Sequence, residues 1–107
     1  MRTGDLNFIF MSDKSLLKLS KEFLRHDYYT DVITFSFNED DVINGEVYIS
    51  IERVRINSKR FKTSLYEEIK RVMVHGVLHL CGMNDENEEE KKAMRIEEDK
   101  YLSLFGR

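Results

Sequence analysis

The chain contains no proline, so nothing in it forces a helix to break or a strand to lie at an edge, and most of it is expected to be regular structure. Its single cysteine, Cys81, excludes a disulfide framework. With no secretory leader in the sequence, this points to a reducing, cytoplasmic setting. No apolar run approaches the roughly 20 residues needed to cross a bilayer, so no membrane partner is expected. There is no excess of positive charge either. Seventeen basic against twenty acidic residues leave a net charge of -3, which argues against binding nucleic acid through bulk charge. That average hides an asymmetry: residues 1–84 carry 12 basic and 12 acidic side chains, residues 85–107 carry 5 and 8. The acidic tail reads as solvation. There is no repeat, linker or low-complexity tract, and at 41% hydrophobic content residues 1–107 read as one domain with a modest core.

What is present is a clear alternation of patterns. Leu6 to Met11 is a short apolar and aromatic run expected to be a buried strand. Ser12 and Asp13 are good N-cap residues, and Leu16, Leu17, Leu19, Phe23 and Leu24 continue at helical spacing to about Arg25. His26 to Asp31 breaks the period and reads as an ordered loop, with His26 making a local hydrogen bond. Val32 to Phe37 is β-branched and aromatic, hence a strand. Asn38–Asp41 is a polar connection, and Asn44-Gly45 is a second turn signal. Glu46 to Ile51 is expected to pair antiparallel with Val32–Phe37. A short helix to about Arg60 follows, with Ile51, Val54 and Ile56 facing inward. Ser64 with Glu67 fits a capping box, opening a helix striped with Leu65, Ile69, Val72, Met73, Gly76 and Leu80. A last helix runs to about Leu104, with Ala93, Met94, Tyr101, Leu102 and Phe105 apolar. The fold class is α+β: a small mixed sheet with packed helices.

Chemistry concentrates at the end of the Ser64 helix, in His75-Gly76-Val77-Leu78-His79-Leu80-Cys81-Gly82-Met83-Asn84-Asp85. Residues four apart share a helix face, so His75 and His79 can turn their imidazoles to one metal ion. Gly82 suits the left-handed turn that ends a helix, after which Asp85 can return as an oxygen ligand. Two imidazoles, one carboxylate and an open position suit a catalytic zinc ion. Cys81 lies nearly opposite His79 on the helix and reads as a small hydrophobe. A second feature is the run Arg53, Arg55, Lys59, Arg60 and Lys62, either a solvated helix face or a phosphate-binding surface.

The spacing H-x-x-x-H-x-x-G-x-x-D also resembles the long zinc motif of metallopeptidases, which places the histidines on a zincin-like metal-binding helix. There, a glutamate directly after the first histidine is the general base. Here that position is Gly76, which cannot take a proton from a bound water, so a peptidase mechanism loses its base.

Three segments together carry a more specific resemblance. The H-G-V-L-H-L-C-G-M-N-D stretch is similar to the H-G-x-L-H-L-x-G-Y-D-H signature of the YbeY family, bacterial metal-dependent endoribonucleases of ribosomal RNA maturation. Thr30-Asp31-Val32-Ile33-Thr34-Phe35 resembles that family's T-D-V-L-S-F segment, and Gly45-Glu46-Val47-Tyr48-Ile49-Ser50 its G-D-I-x-I-S strand. The match spans about residues 6–105. It implies one zinc-like divalent ion held by His75, His79 and position 85, and single-stranded or ribosomal RNA as substrate. It also implies a role at the small ribosomal subunit with its associated proteins. Position 85 departs from the family, with aspartate for the third histidine. Aspartate still coordinates zinc at about 2.0–2.2 Å, makes the bound water slightly less acidic, and widens metal choice towards manganese. Met83 and Asn84 stand where the family has Tyr-Asp. The family's arginine before T-D-V aligns with Leu24, leaving Arg25 as the candidate catalytic arginine, with the 53–62 cluster as an alternative. The chain is also expected to lack an N-terminal strand and helix of the family. The resulting expectation is phosphodiester cleavage of single-stranded RNA, with the basic run and Tyr28 or Tyr29 holding RNA. The alternatives are a metallohydrolase acting on peptides or small molecules, and a non-catalytic ribosome-associated module with a structural metal.

Overall fold

The computed structural model describes residues 2–25 and 29–105. The first apolar run extends into a ten-residue strand, β1 (Arg2–Met11), longer at its polar start than apolarity alone suggests. Ser12 then caps α1 (Asp13–Leu19), its hydroxyl accepting from the Ser15 amide. The helix continues into a π-helical turn at Ser20–Leu24 and stops where Arg25 takes a left-handed conformation, φ 57°. The V-I-T-F-S run forms β2 (Val32–Ser36), and β3 spans Val42–Ser50.

The sheet order is β1-β3-β2. β3 runs parallel to β1 and antiparallel to β2, with Val47 opposite both Phe8 and Thr34, so the sheet is mixed as expected. Asn44-Gly45 is not a turn. It lies inside β3, and the reversal comes earlier, at Glu39–Val42, where Asp40 has φ 52°. The glycine is needed for another reason: a Cβ on Gly45 would sit 2.7 Å from the Phe35 carbonyl oxygen and 2.8 Å from a Leu80 methyl. The end of the histidine helix therefore seats on it.

β3 alternates strictly, with Ile43, Gly45, Val47 and Ile49 buried on one face. That face carries α3 (Leu65–Leu80), flanked by α2 (Ile51–Arg60) and α4 (Glu88–Phe105). The core consists of Ile43, Val47, Ile49, Val54, Val72 and Leu80, with Leu65, Ile69 and Met73 of the expected stripe packed against it. The other face is covered by Leu16, 1% exposed, and by Phe23, whose ring meets Phe35 edge-on at 5.9 Å. Two inward assignments fail. Ile56 is 50% exposed, because a 100° step per residue carries it well away from Val54. In α4, Ala93 and Tyr101 are exposed, and the buried positions are Met94 and Glu98. The Phe105 side chain lies outside the described residues.

Two small networks place the helices. Ser50 caps α2 by accepting from the Arg53 amide, and donates its hydroxyl to Asp13, which also receives the Arg53 guanidinium at 2.8 Å. In α4, Asn87 and Glu90 form a reciprocal capping box: Asn87 Oδ1 accepts from the Glu90 amide, and Glu90 Oε1 from the Asn87 amide.

Candidate metal centre

Ser64 starts α3 by accepting from the Glu67 amide, and the helix then runs sixteen residues over the sheet. It passes closest at Gly76, where a Cβ would stand 2.6 Å from Val47 Cγ1. Position 76 therefore faces the sheet, and His75 and His79 share the neighbouring face. The helix ends in a Schellman turn, the Gly82 amide donating to the His79 carbonyl and the Met83 amide to that of Leu78. Gly82 has φ 96°, a conformation glycine adopts without penalty. This turn directs the chain back so that Asp85 faces the two rings.

The three ligand atoms converge. His75 Nε2 and His79 Nε2 are 2.9 Å apart, and the Asp85 oxygens lie 3.2 Å from His75 Nε2 and 3.5 Å from His79 Nε2. His75, His79 and Asp85 are the one such cluster among the described residues. Tetrahedral bonds of about 2.0–2.2 Å place ligand atoms roughly 3.3–3.6 Å apart, so the 3.5 Å contact matches, and the 2.9 and 3.2 Å contacts would open by a few tenths of an ångström to take one ion. The proton positions agree. His79 Nδ1 is 3.0 Å from the Met83 carbonyl, which can only accept, so Nδ1 carries the hydrogen and Nε2 keeps a lone pair. His75 Nδ1 is 2.6 Å from Glu98 Oε2. The two Nε2 atoms face each other beside a carboxylate, an arrangement that either a proton or a metal ion between them would satisfy.

Glu98 is the residue that sequence reasoning misses. Its place in the acidic tail suggests solvation, yet it is 4% exposed and bonds both His75 and Arg71, the latter at 2.8 Å. Burial works to raise its pKa, but hydrogen bonds from His75 and Arg71 outweigh this and hold it below the usual carboxylate value. For His75, burial works downward and the Glu98 bond and charge work upward, with a net rise. Arg71 also reaches Asp99 at 2.7 Å. The sequence does hold a signal: Glu98 lies four residues after the buried Met94, on the same helix face.

Asp31 belongs to the site too. α3 packs on β2, which brings the start of that strand beside the histidines. Burial raises the Asp31 pKa, partly offset by His75, and its Oδ2 accepts from the Asn57 side-chain Nδ2 at 3.3 Å. The cluster lies between two cavities of about 280 Å³ each, and Asp31, His75 and Asp85 line both.

The other expected site residues are dispersed. Arg25 is exposed at the end of the π-helical turn, while Leu24 lines a cavity beside the histidines. Arg53 is paired with Asp13 and stacked over Tyr29, 5.2 Å from its centroid. Arg55, Lys59, Arg60 and Lys62 are exposed. Arg55 and Lys59 lie roughly 160° around α2 from Asn57, away from the cavities. Cys81 is only partly buried, at the C-cap of α3. His26 and Tyr28 lie outside the described residues.

Helices on both faces of a three-stranded mixed sheet, with two histidines and a carboxylate converging at one helix end, define a small α+β protein with a side-chain cluster that could hold a metal ion. The sequence matches the family described as Endoribonuclease YbeY over residues 1–106. It is 43% identical over 104 residues to the endoribonuclease YbeY of Parabacteroides distasonis, covering 97% of this chain and 73% of that one. To the Flavobacterium psychrophilum endoribonuclease YbeY it is 49% identical over 102 residues, covering 95% and 73%. A solution structure of a Thermotoga maritima protein matches with TM-score 0.65 and 33% identity over 91% of this chain, which spans 65% of that protein's length. The chain belongs to the endoribonuclease YbeY family.

Proposed function

We propose that this chain is a metal-dependent endoribonuclease that cleaves single-stranded RNA in the maturation and quality control of small-subunit ribosomal RNA. In this reading residues 1–107 act as one YbeY-like metallohydrolase domain in the cytoplasm, in contact with the small ribosomal subunit and its proteins. Among the described residues, no helix is long and apolar enough to cross a membrane. The observation that carries the proposal is the convergence of His75, His79 and Asp85 in a chain of this family. Zinc is the first candidate ion, and manganese the second because of the carboxylate.

When bound, a divalent ion supplies Lewis-acid polarisation of a phosphoryl oxygen and lowers the pKa of a water. The protein's part is positional. Glu98 and the Met83 carbonyl fix the imidazole tautomers, and Asp85 contributes negative charge. The three side chains stay 22–36% exposed, which supports a site reachable by substrate, as a catalytic centre needs. Asp31 lines both cavities beside the cluster, and burial raises its pKa, which makes it a candidate for proton transfer. Arg25 is retained as a candidate for stabilising charge on phosphate, with Arg53, Arg55, Lys59, Arg60 and Lys62 as candidate RNA contacts.

The histidine helix is taken as zincin-like in ligand spacing, but a peptidase is disfavoured physically as well as chemically. A glutamate at position 76 would collide with Val47. The test is cleavage of an unstructured RNA by purified protein, with the same RNA in a duplex as control. We expect cleavage of the single strand only, abolished by chelation, restored by metal and lost in His79→Ala. Cleavage that survives chelation would refute the assignment.

A further inference from the structure

The metal cluster sits at the junction of two cavities, and an extended strand crossing it must occupy both. Their chemistry differs. Beyond the Asp31, His75 and Asp85 that line both, the cavity on the β2 side has His79, Ser20, Leu24, Thr30 and Thr34, with no lysine or arginine. The cavity on the α4 side has Phe61, Asn57, Arg71, Lys91 and Arg95, with the carboxylates of Glu68 and Glu98. Arg71 is committed to Glu98 and Asp99, whereas Lys91 and Arg95 are exposed, one turn apart on α4. Phe61 follows α2 as its C-cap, is 51% exposed, and has the Arg60 guanidinium 5.7 Å from its centroid. The ring is thus open to solvent at the wall of this cleft.

Building on the endoribonuclease assignment, we propose that Phe61 is the stacking platform for the base on one side of the scissile phosphate. Lys91 and Arg95 hold the phosphate of that same nucleotide. The opposite cavity, which beyond the shared cluster offers hydroxyls and no lysine, arginine or exposed ring, accepts its nucleotide without a stacking contact. The enzyme then grips its substrate asymmetrically. A paired base cannot offer its face to Phe61 without leaving its stack, which gives the single-strand preference a structural origin.

The experiment maps the bond cut in a short unstructured RNA by the metal-loaded protein, then places one abasic residue at each position around that bond. Base–aromatic stacking contributes enough that its removal should lower kcat/KM about 5- to 100-fold. We expect that loss when the abasic residue lies on one side of the cut bond and not on the other. In Phe61→Ala the intact RNA should lose the same factor, and the abasic substitution should cost nothing further. Phe61→Tyr should behave as wild type. Retained metal content and thermal midpoint in Phe61→Ala would show that the exposed ring was not holding the fold. Equal abasic penalties on both sides, or additive losses in Phe61→Ala, would overturn the stacking assignment and leave the nuclease intact. A protein that cuts no RNA in any metal would overturn both.

Discussion

Asp85 is the residue on which the chemistry of this chain differs most from a three-histidine site. Its carboxylate reaches both imidazoles and brings a full negative charge to a partly buried cluster. Replacing Asp85 with alanine should weaken metal binding by at least about tenfold, the order expected for a ligand or its support. Asp85→His should keep zinc and lose affinity for manganese, because imidazole suits the former better. Competition with a chromophoric chelator measures both, and equal manganese affinity in wild type and Asp85→His would contradict the softness argument. Glu98 acts one step further out. Glu98→Gln keeps the shape but removes the charge that orients His75, and should lower metal affinity about 10- to 100-fold. An unchanged affinity would mean that the 2.6 Å contact has no part in holding the ring.

Elements are held in place here by missing side chains as much as by those present. α3 rests on β3 through Gly76 against Val47, and on the β2–β3 pair through Leu80 above Gly45. Gly76→Ala has no room and should destabilise by about 1–3 kcal/mol through overpacking, read as a lower urea midpoint. Gly82→Ala is a different case. Nothing lies within 4 Å of a Cβ there, so its cost is the backbone strain of φ 96°, roughly 1–2 kcal/mol. If Gly76→Ala were neutral, the helix would not sit as close as described. The same closeness explains why Asn44-Gly45 misleads as a turn signal: the glycine serves a helix distant in sequence.

The whole molecule carries charges that folding disfavours and that salt can probe. Glu68 is 5% exposed, and burial raises its pKa above 4.5 despite the opposing pull of Arg71. As pH rises, the unfolded chain releases this proton first, so between the unfolded and folded pKa values the native state binds more protons and stability falls. Above the folded pKa that loss is complete. Glu68→Gln should therefore be more stable than wild type at neutral pH, with the gain vanishing at pH values below the usual carboxylate range. Urea titrations at the two pH values measure it, and a gain that persists in acid would exclude this origin. The net charge of -3 leaves RNA affinity to local cations. Removing Lys91 and Arg95 together should reduce the salt dependence of RNA binding by roughly 0.7 in slope for each phosphate they neutralise.

Local order is legible in the residues themselves. Period-two and period-3.6 patterns mark β1, β2, the second half of β3, α2 and α3. Ser12 and Ser64 announce their helices, and the i, i+4 histidines with a glycine stop announce the cluster that forms at the end of α3, because all of these depend on neighbours within a turn or two of chain. The convergence of Asp31 and Glu98 on His75, the bond of Asn57 to Asp31, the pairing of Arg53 with Asp13, and the cleft shared by Phe61 and α4 depend on residues 23 or more positions apart. Only packing α3 between β3 and α4 could decide those. A buried carboxylate and a solvated one look alike along a chain until another element takes the water away.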